Sequence, residues 1–215
     1  MSTLLRAPRE RASWFWDLYN FDAPGLESSL SLAARLSEVL SHHELLVPVR
    51  LEYVWIVEGI GSTGITTTLD LGRGSLADPT LPDRVRGSRP AGHSTAEITD
   101  FNILGAGIWI DAEGRSRKEY RLVDVSVSNA PIGLSAELSV HHDIWGHYDF
   151  SGRPHPEIQQ RNAPRLTAAL KDLSALLGGP PEPGERTYFG MATTEGVAEP
   201  EPDDNGMGPD LTSWL

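Results

Sequence analysis

Residues 95–142 read TAEITDFNILGAGIWIDAEGRSRKEYRLVDVSVSNAPIGLSAELSVHH, and this stretch decides the fold. Apolar and polar residues alternate through most of it, which is the period of a half-buried strand. The reading gives strands at Thr95–Ile103, Ile108–Asp111, Arg117–Val127 and Leu134–His142. Asp111-Ala112-Glu113-Gly114 and Asn129-Ala130-Pro131 supply the turns between them. Val123, Val125 and Val127 fall on one side of such a strand, and Tyr120, Leu122 and Asp124 on the other. Strands joined by short turns with no helix between them pair antiparallel, so a meander with one face against helices is expected.

Upstream, Leu32, Leu36, Val39 and Leu40 recur at helical spacing within Leu26–His43. Ser28 or Ser29 is placed to cap that helix, and His42 and His43 stand where its C-terminus favours positive charge. Val47 to Val57 alternates again, with Tyr53 and Trp55 on one side. After Gly59, Gly61 and Gly64, the run Ile65–Leu71 reads as its hairpin partner. The segment 72–93 has no period and is dense in Gly, Pro, Ser and Arg, and reads as a long surface loop. Trp14 and Trp16, interleaved with Phe15, Tyr19 and Phe21, suit either a buried strand or the anchors of an interface.

Downstream, Asn162 as cap, Pro164 in the first turn and the stripe Leu166, Leu170, Leu173 and Leu177 predict a second helix that ends at Gly178. Arg186–Thr193 reads as a last strand. The class is therefore α+β: a mainly antiparallel sheet of five to seven strands with two principal helices on one face. Residues 1–194 form one domain, and 195–215, with six acidic and no basic residues, form an acidic tail expected to be flexible unless Trp214 anchors it.

Composition narrows the function. A net charge of −12 opposes binding to nucleic acid and to anionic membranes, and steers basic partners inward. The absence of cysteine removes disulfides, thiolate metal sites and a thiol nucleophile. The arginines of the first residues are followed by no apolar run of signal-peptide length, so a soluble cytoplasmic protein is expected.

The chemistry-bearing residues concentrate in HHDIWGHYDFSGRPH, residues 141–155. One reading is a rigid elbow whose Trp145, Tyr148 and Arg153 are central contacts for a protein partner, with Asp143 and Asp149 as charge complements. A rival reading draws a divalent metal to His141, His142, Asp143 and His147 for a metal-assisted hydrolase using the His141–His155 cluster. Adjacent strand residues face opposite ways, however, and no HExxH spacing is present. Neither Gly61-Ser62-Thr63-Gly64 nor Gly74-Ser75 is a nucleophile elbow, and no lysine follows GIGSTG to make a phosphate loop. Asp111 with Glu113, and Asp143 with Asp149, are carboxylate pairs without a defining geometry. No motif requires a cofactor.

The run YDFSGRPHPEIQQRNAPRLTAALKDLSALLG, followed by PGERTYFGMATTEGV and an acidic tail reaching Trp214, resembles a group of uncharacterised proteins of high-GC actinobacteria. As a small, acidic, cysteine-free α+β chain, the protein is also similar in class to immunity proteins of polymorphic toxin systems, which occlude a toxin's active site. That similarity implies a non-enzymatic, protein-binding inhibitor with a basic partner. A structural subunit that buries a strand edge against a copy of itself is the third expectation.

Overall fold

A computed structural model describes residues 4–19, 21–72, 75–130 and 132–215. The elements run β1 (Ala12–Leu18), α1 (Leu26–His42), β2 (Val47–Val57), β3 (Gly61–Asp70), α2 (Leu81–Gly87), β4 (Glu97–Ile110), β5 (Ser116–Tyr120), β6 (Asp124–Ala130), β7 (Gly133–Val140), α3 (Pro156–Leu177), β8 (Glu182–Pro183), β9 (Ala192–Thr193) and β10 (Gly196–Val197). One antiparallel sheet of eight strands, more than the expected five to seven, has the order β3-β2-β4-β6-β7-β1-β8, with β5 also on β4. The α+β class holds, but the topology is no simple meander. β4 pairs with β2 rather than with its predecessor β3, and β1 inserts between β7 and β8. Among the described residues no helix is long and apolar enough to cross a membrane.

The period-2 pattern buries one side of the sheet. Trp14, Trp16, Leu51, Tyr53, Phe101, Ile103, Val125, Val127, Ala136 and Leu138 meet the stripes of α1 (Leu32, Leu36, Leu40) and α3 (Leu166, Leu170, Leu173) in a single core. Burying such side chains contributes about 1.5–3 kcal/mol each, the largest favourable part of folding. Trp14 and Trp16 are thus core residues, and their indole N–H groups donate to the carbonyls of Thr193 (2.6 Å) and Gly179 (3.3 Å).

The strand boundaries depart from the periodicity for local reasons. Gly105 and Gly107 do not interrupt β4: Leu45–Val47 passes so closely that a Cβ on either glycine would stand 2.2 Å from a carbonyl oxygen. The expected strand Arg117–Val127 instead divides at Arg121, whose φ of 56° is left-handed. The kink buries Leu122 and Val123 together, which no alternating strand does. Pro131 of the following turn lies outside the described residues.

The helices are also bounded differently than expected. α1 starts after Gly25, and the Ser29 hydroxyl donates back to the Gly25 carbonyl (2.7 Å) instead of capping. α3 begins at Pro156, a turn and a half before Asn162, with proline in the first turn where its missing N–H is harmless. Asn162 is no cap: its side chain is buried, accepts from the Ile110 N–H (2.9 Å) and donates to the carbonyls of Ile110 and Ile158 (2.8 Å each). This clips α3 to the end of β4. The helix ends as expected at Gly178, which takes φ 83°.

Segment 72–93 carries α2 and is not a featureless loop, although its Arg73 and Gly74 lie outside the described residues. Leu76, Leu81 and Val85 join the core, and the Ser88 and Tyr53 hydroxyls hydrogen-bond at 2.7 Å. Of Arg186–Thr193 only Ala192–Thr193 is a strand, β9, and Phe189 turns in to meet Phe150 edge to face. The tail packs as well: the Gly208 and Leu211 N–H groups donate to the carbonyls of Gly152 and Phe150 (2.8 Å each), and Trp214 stacks on Tyr188.

Candidate functional site

The elbow that follows β7 is held from three sides. Upstream, residues 5–7 run along it: the Ala7 N–H donates to the His141 carbonyl (2.9 Å), and Asp143 exchanges bonds with Leu5. From beneath, the buried Arg11 guanidinium donates to the carbonyls of Asp143 (2.8 Å) and Tyr148 and lies over the Phe150 ring. From above, Gly208 sits so close to the Tyr148 ring that a Cβ there would be 2.5 Å away.

This geometry corrects the sequence expectation for the elbow. Trp145 is 1% exposed, Asp143 1% and Tyr148 7%, so none of the three offers a surface to a partner. Asp149 is spent on its own turn, accepting from the N–H and hydroxyl of Ser151 and from the Arg153 N–H (2.7–3.0 Å). Of the five proposed contacts only Arg153 is exposed. The physical reason is that an aromatic-rich loop buries apolar area when the chain ends can cover it, and here both do.

The metal reading is corrected too. Among the described residues no group of three or more His, Asp and Glu could hold a metal ion. His141 lies 3.3 Å from Asp124, beside Arg6 and Arg121, while His142 is buried with a hydrogen bond to the Leu122 backbone. Asp143 looks to Leu5 and Arg11, and His147 packs on the Tyr148 ring.

Burial shifts the titrations of the elbow. It pushes His142 down to about 4, helped by the charge of Arg6. It pushes the Asp143 carboxyl up to about 6, because the Leu5 N–H and the Arg11 charge compensate only part of the lost hydration. Arg11 itself comes down to about 10 by burial, against the charges of Asp143 and Asp149. Asp111 belongs to the β4–β5 turn: it is buried, yet hydrogen bonds from Arg115 and Arg117 hold its carboxyl well below the usual range. Its role is to fix that turn.

A groove of about 830 Å³ opens between α1 and the 71–82 segment. Leu30, Ala34, Val47 and Leu76 floor it, and among the described residues no histidine or lysine lines it. Its titratable side chains are Glu27, Arg35, Glu38 and Asp78, and they stand beside Ser31, Ser37, Ser41 and Ser75.

The other face of the sheet carries what remains. Across it, the strand pairings align Thr68, Glu52, Asn102, Ser126, Glu137, Phe15 and Glu182 in one row. A second row aligns Asp100, Ser128, Ser135 and Asp17. α1 and α3 lie on the opposite side; on this face Thr68, Asn102, Glu182, Asp100 and Asp17 are exposed and Glu52, Ser126, Glu137, Phe15, Ser128 and Ser135 half-buried. Burial, and then the charge of nearby Glu10, push the Glu137 carboxyl up. At one corner Asp124, held by Arg121 and Arg6, stays low although burial opposes this. That these residues share one face depends on the order β2-β4-β6-β7-β1, which no local pattern encodes.

No family model matches the chain, and no curated protein or solved structure matches it either.

Proposed function

We propose that the protein is a non-enzymatic binding module, an inhibitor of the immunity type, which presents the uncovered face of its sheet to a basic protein partner. The observation that carries this reading is the composition of that face. Asp17, Glu52, Asp100, Glu137 and Glu182 stand among serines and threonines, and Arg50, paired with Asp70 at 2.6 Å, is the counter-charge within β2. Seven neighbouring strands make a face roughly 30 Å wide, enough for a standard interface of about 800 Å² per partner. The net charge of −12 adds long-range attraction, which speeds encounter and weakens with salt. Short hydroxyl side chains between carboxylates let arginine and lysine side chains of a partner reach the sheet, where bidentate bonds to Glu and Asp select for Arg.

A photo-activatable residue at Ser126 tests the reading in cells that produce the chain. The expected product is a cross-link to one basic protein, abolished by Glu52→Arg with Glu137→Arg and lost when the label is moved to the helix face. Cross-links that ignore those substitutions would overturn it.

A further inference from the structure

The two ends of the sheet are unlike. One ends on β8, two residues long and containing Pro183, which cannot donate to a further strand. The other ends on β3, ten residues that carry no lysine, arginine or proline. Its one charge, Asp70, sits at its last position and is taken by Arg50. Among the described residues no strand pairs with the outer side of β3. Natural edge strands are blunted by charge, proline or brevity, and this one has none of these along Ile65–Leu69.

The sequence of that edge is self-complementary. Ile65-Thr66-Thr67-Thr68-Leu69 reads the same in chemistry from either end. In an antiparallel pairing of two copies centred on Thr67, Ile65 of each copy lies opposite Leu69 of the other, and Thr66 opposite Thr68. The faces agree as well. Thr67 pairs with Tyr53 of the buried side and accepts the Trp55 indole N–H (2.8 Å), so Ile65 and Leu69 share the helix-side face. Leu69 already packs against the core and Ile65 is exposed, so pairing closes an apolar contact on that side. Thr66 and Thr68, both exposed, lie with Glu52 on the acidic face and form threonine pairs.

We propose that β3 is the interface of a symmetric homodimer, in which two copies of this chain join their sheets edge to edge. Charge selects the second copy as occupant. At −12, two chains repel wherever their acidic surfaces meet, and the uncharged run Gly61–Leu69 is where they approach without that cost. The pairing is isologous, the usual geometry of a closed dimer. It is independent of what the acidic face binds.

Sedimentation equilibrium tests it, with a mass about twice 23.5 kDa expected for the full chain. Thr66→Lys with Thr68→Lys should return the monomer mass, with circular dichroism verifying the fold. Ser126→Lys with Ser128→Lys, which adds the same charge away from the edge, should leave the dimer intact. Because the chain has no cysteine, Thr66→Cys with Thr68→Cys should give a covalent dimer on mild oxidation. A mass of 23.5 kDa at all concentrations, a doubled mass that survives the edge lysines, or no covalent dimer would overturn the proposal.

Discussion

The elbow and the outer face of the sheet hold similar chemistry in opposite settings. In the elbow, Asp143, His142 and Trp145 are buried, and chain segments more than a hundred residues away cover them. On the outer face, Asp100, Glu182 and Asp17 are exposed. The difference teaches that density of functional side chains in sequence does not mark a site; what counts is whether the fold leaves them exposed. In the elbow, Arg11 and one Asp143 oxygen hold the chain start while Asp143 Oδ2 and the Trp145 indole N–H are buried without a partner, out of reach of another protein; the exposed carboxylates of the outer face are within reach.

The most severe way to break the comparison is to truncate the elbow. If it is core, Trp145→Ala should cost about 3–5 kcal/mol in denaturant unfolding, the range of a large aromatic removed from an interior. A loss under 1 kcal/mol would return Trp145 to the surface.

The titrations of the elbow sharpen it. Asp143 has its folded value raised to about 6 from 3.8, so its ionisation opposes folding. That penalty is absent below pH 4 and grows to about 3 kcal/mol above pH 6. His142, lowered to about 4 from 6.5, works the other way: its stabilising neutrality is complete above pH 6.5 and is lost towards pH 4, by a similar amount. The two slopes offset each other in the native chain. In Asp143→Asn, stability should fall on acidification from pH 6.5 to 4, and in His142→Phe it should rise over pH 6 to 4. Parallel pH curves for the two variants would show that neither group is buried.

Asn162 gives a smaller effect. Asn162→Leu removes three hydrogen bonds and leaves the Ile110 N–H and C=O without that partner, which should cost about 1–3 kcal/mol. Hydrogen exchange at the Ile110 amide should rise with it. Protection unchanged at Ile110 would show that the clip is dispensable.

Smallest in stability and decisive in function are changes on the outer face. Glu52→Lys with Glu137→Lys should move the unfolding free energy by no more than about 0.5 kcal/mol per site. The same changes should slow association with the cross-linked partner tenfold or more at low salt, and less as salt is raised.

The sequence made the scaffold legible where one side chain period dominates: the β2 alternation over Leu51–Trp55, though not at the exposed Val47 and Val49, the leucine stripes and the Gly178 stop survive in the structure. It misled where a residue type has two uses. Asn162 before Pro164 has the form of a cap but serves as a cross-link between helix and strand. Gly105 and Gly107 fall between the expected strands Thr95–Ile103 and Ile108–Asp111, but they lie within β4 and admit a crossing backbone. The burial of the elbow was not legible, because it depends on Leu5, Arg11 and Gly208, which nothing local to residues 141–155 reveals.

Carbodiimide labelling of the native protein, read carboxylate by carboxylate by peptide mass spectrometry, tests the contrast most directly. The account predicts rapid modification of Asp17, Asp100 and Glu182, with Asp143 protected until the chain unfolds. Labelling of native Asp143 at the rate of Asp100 would contradict it.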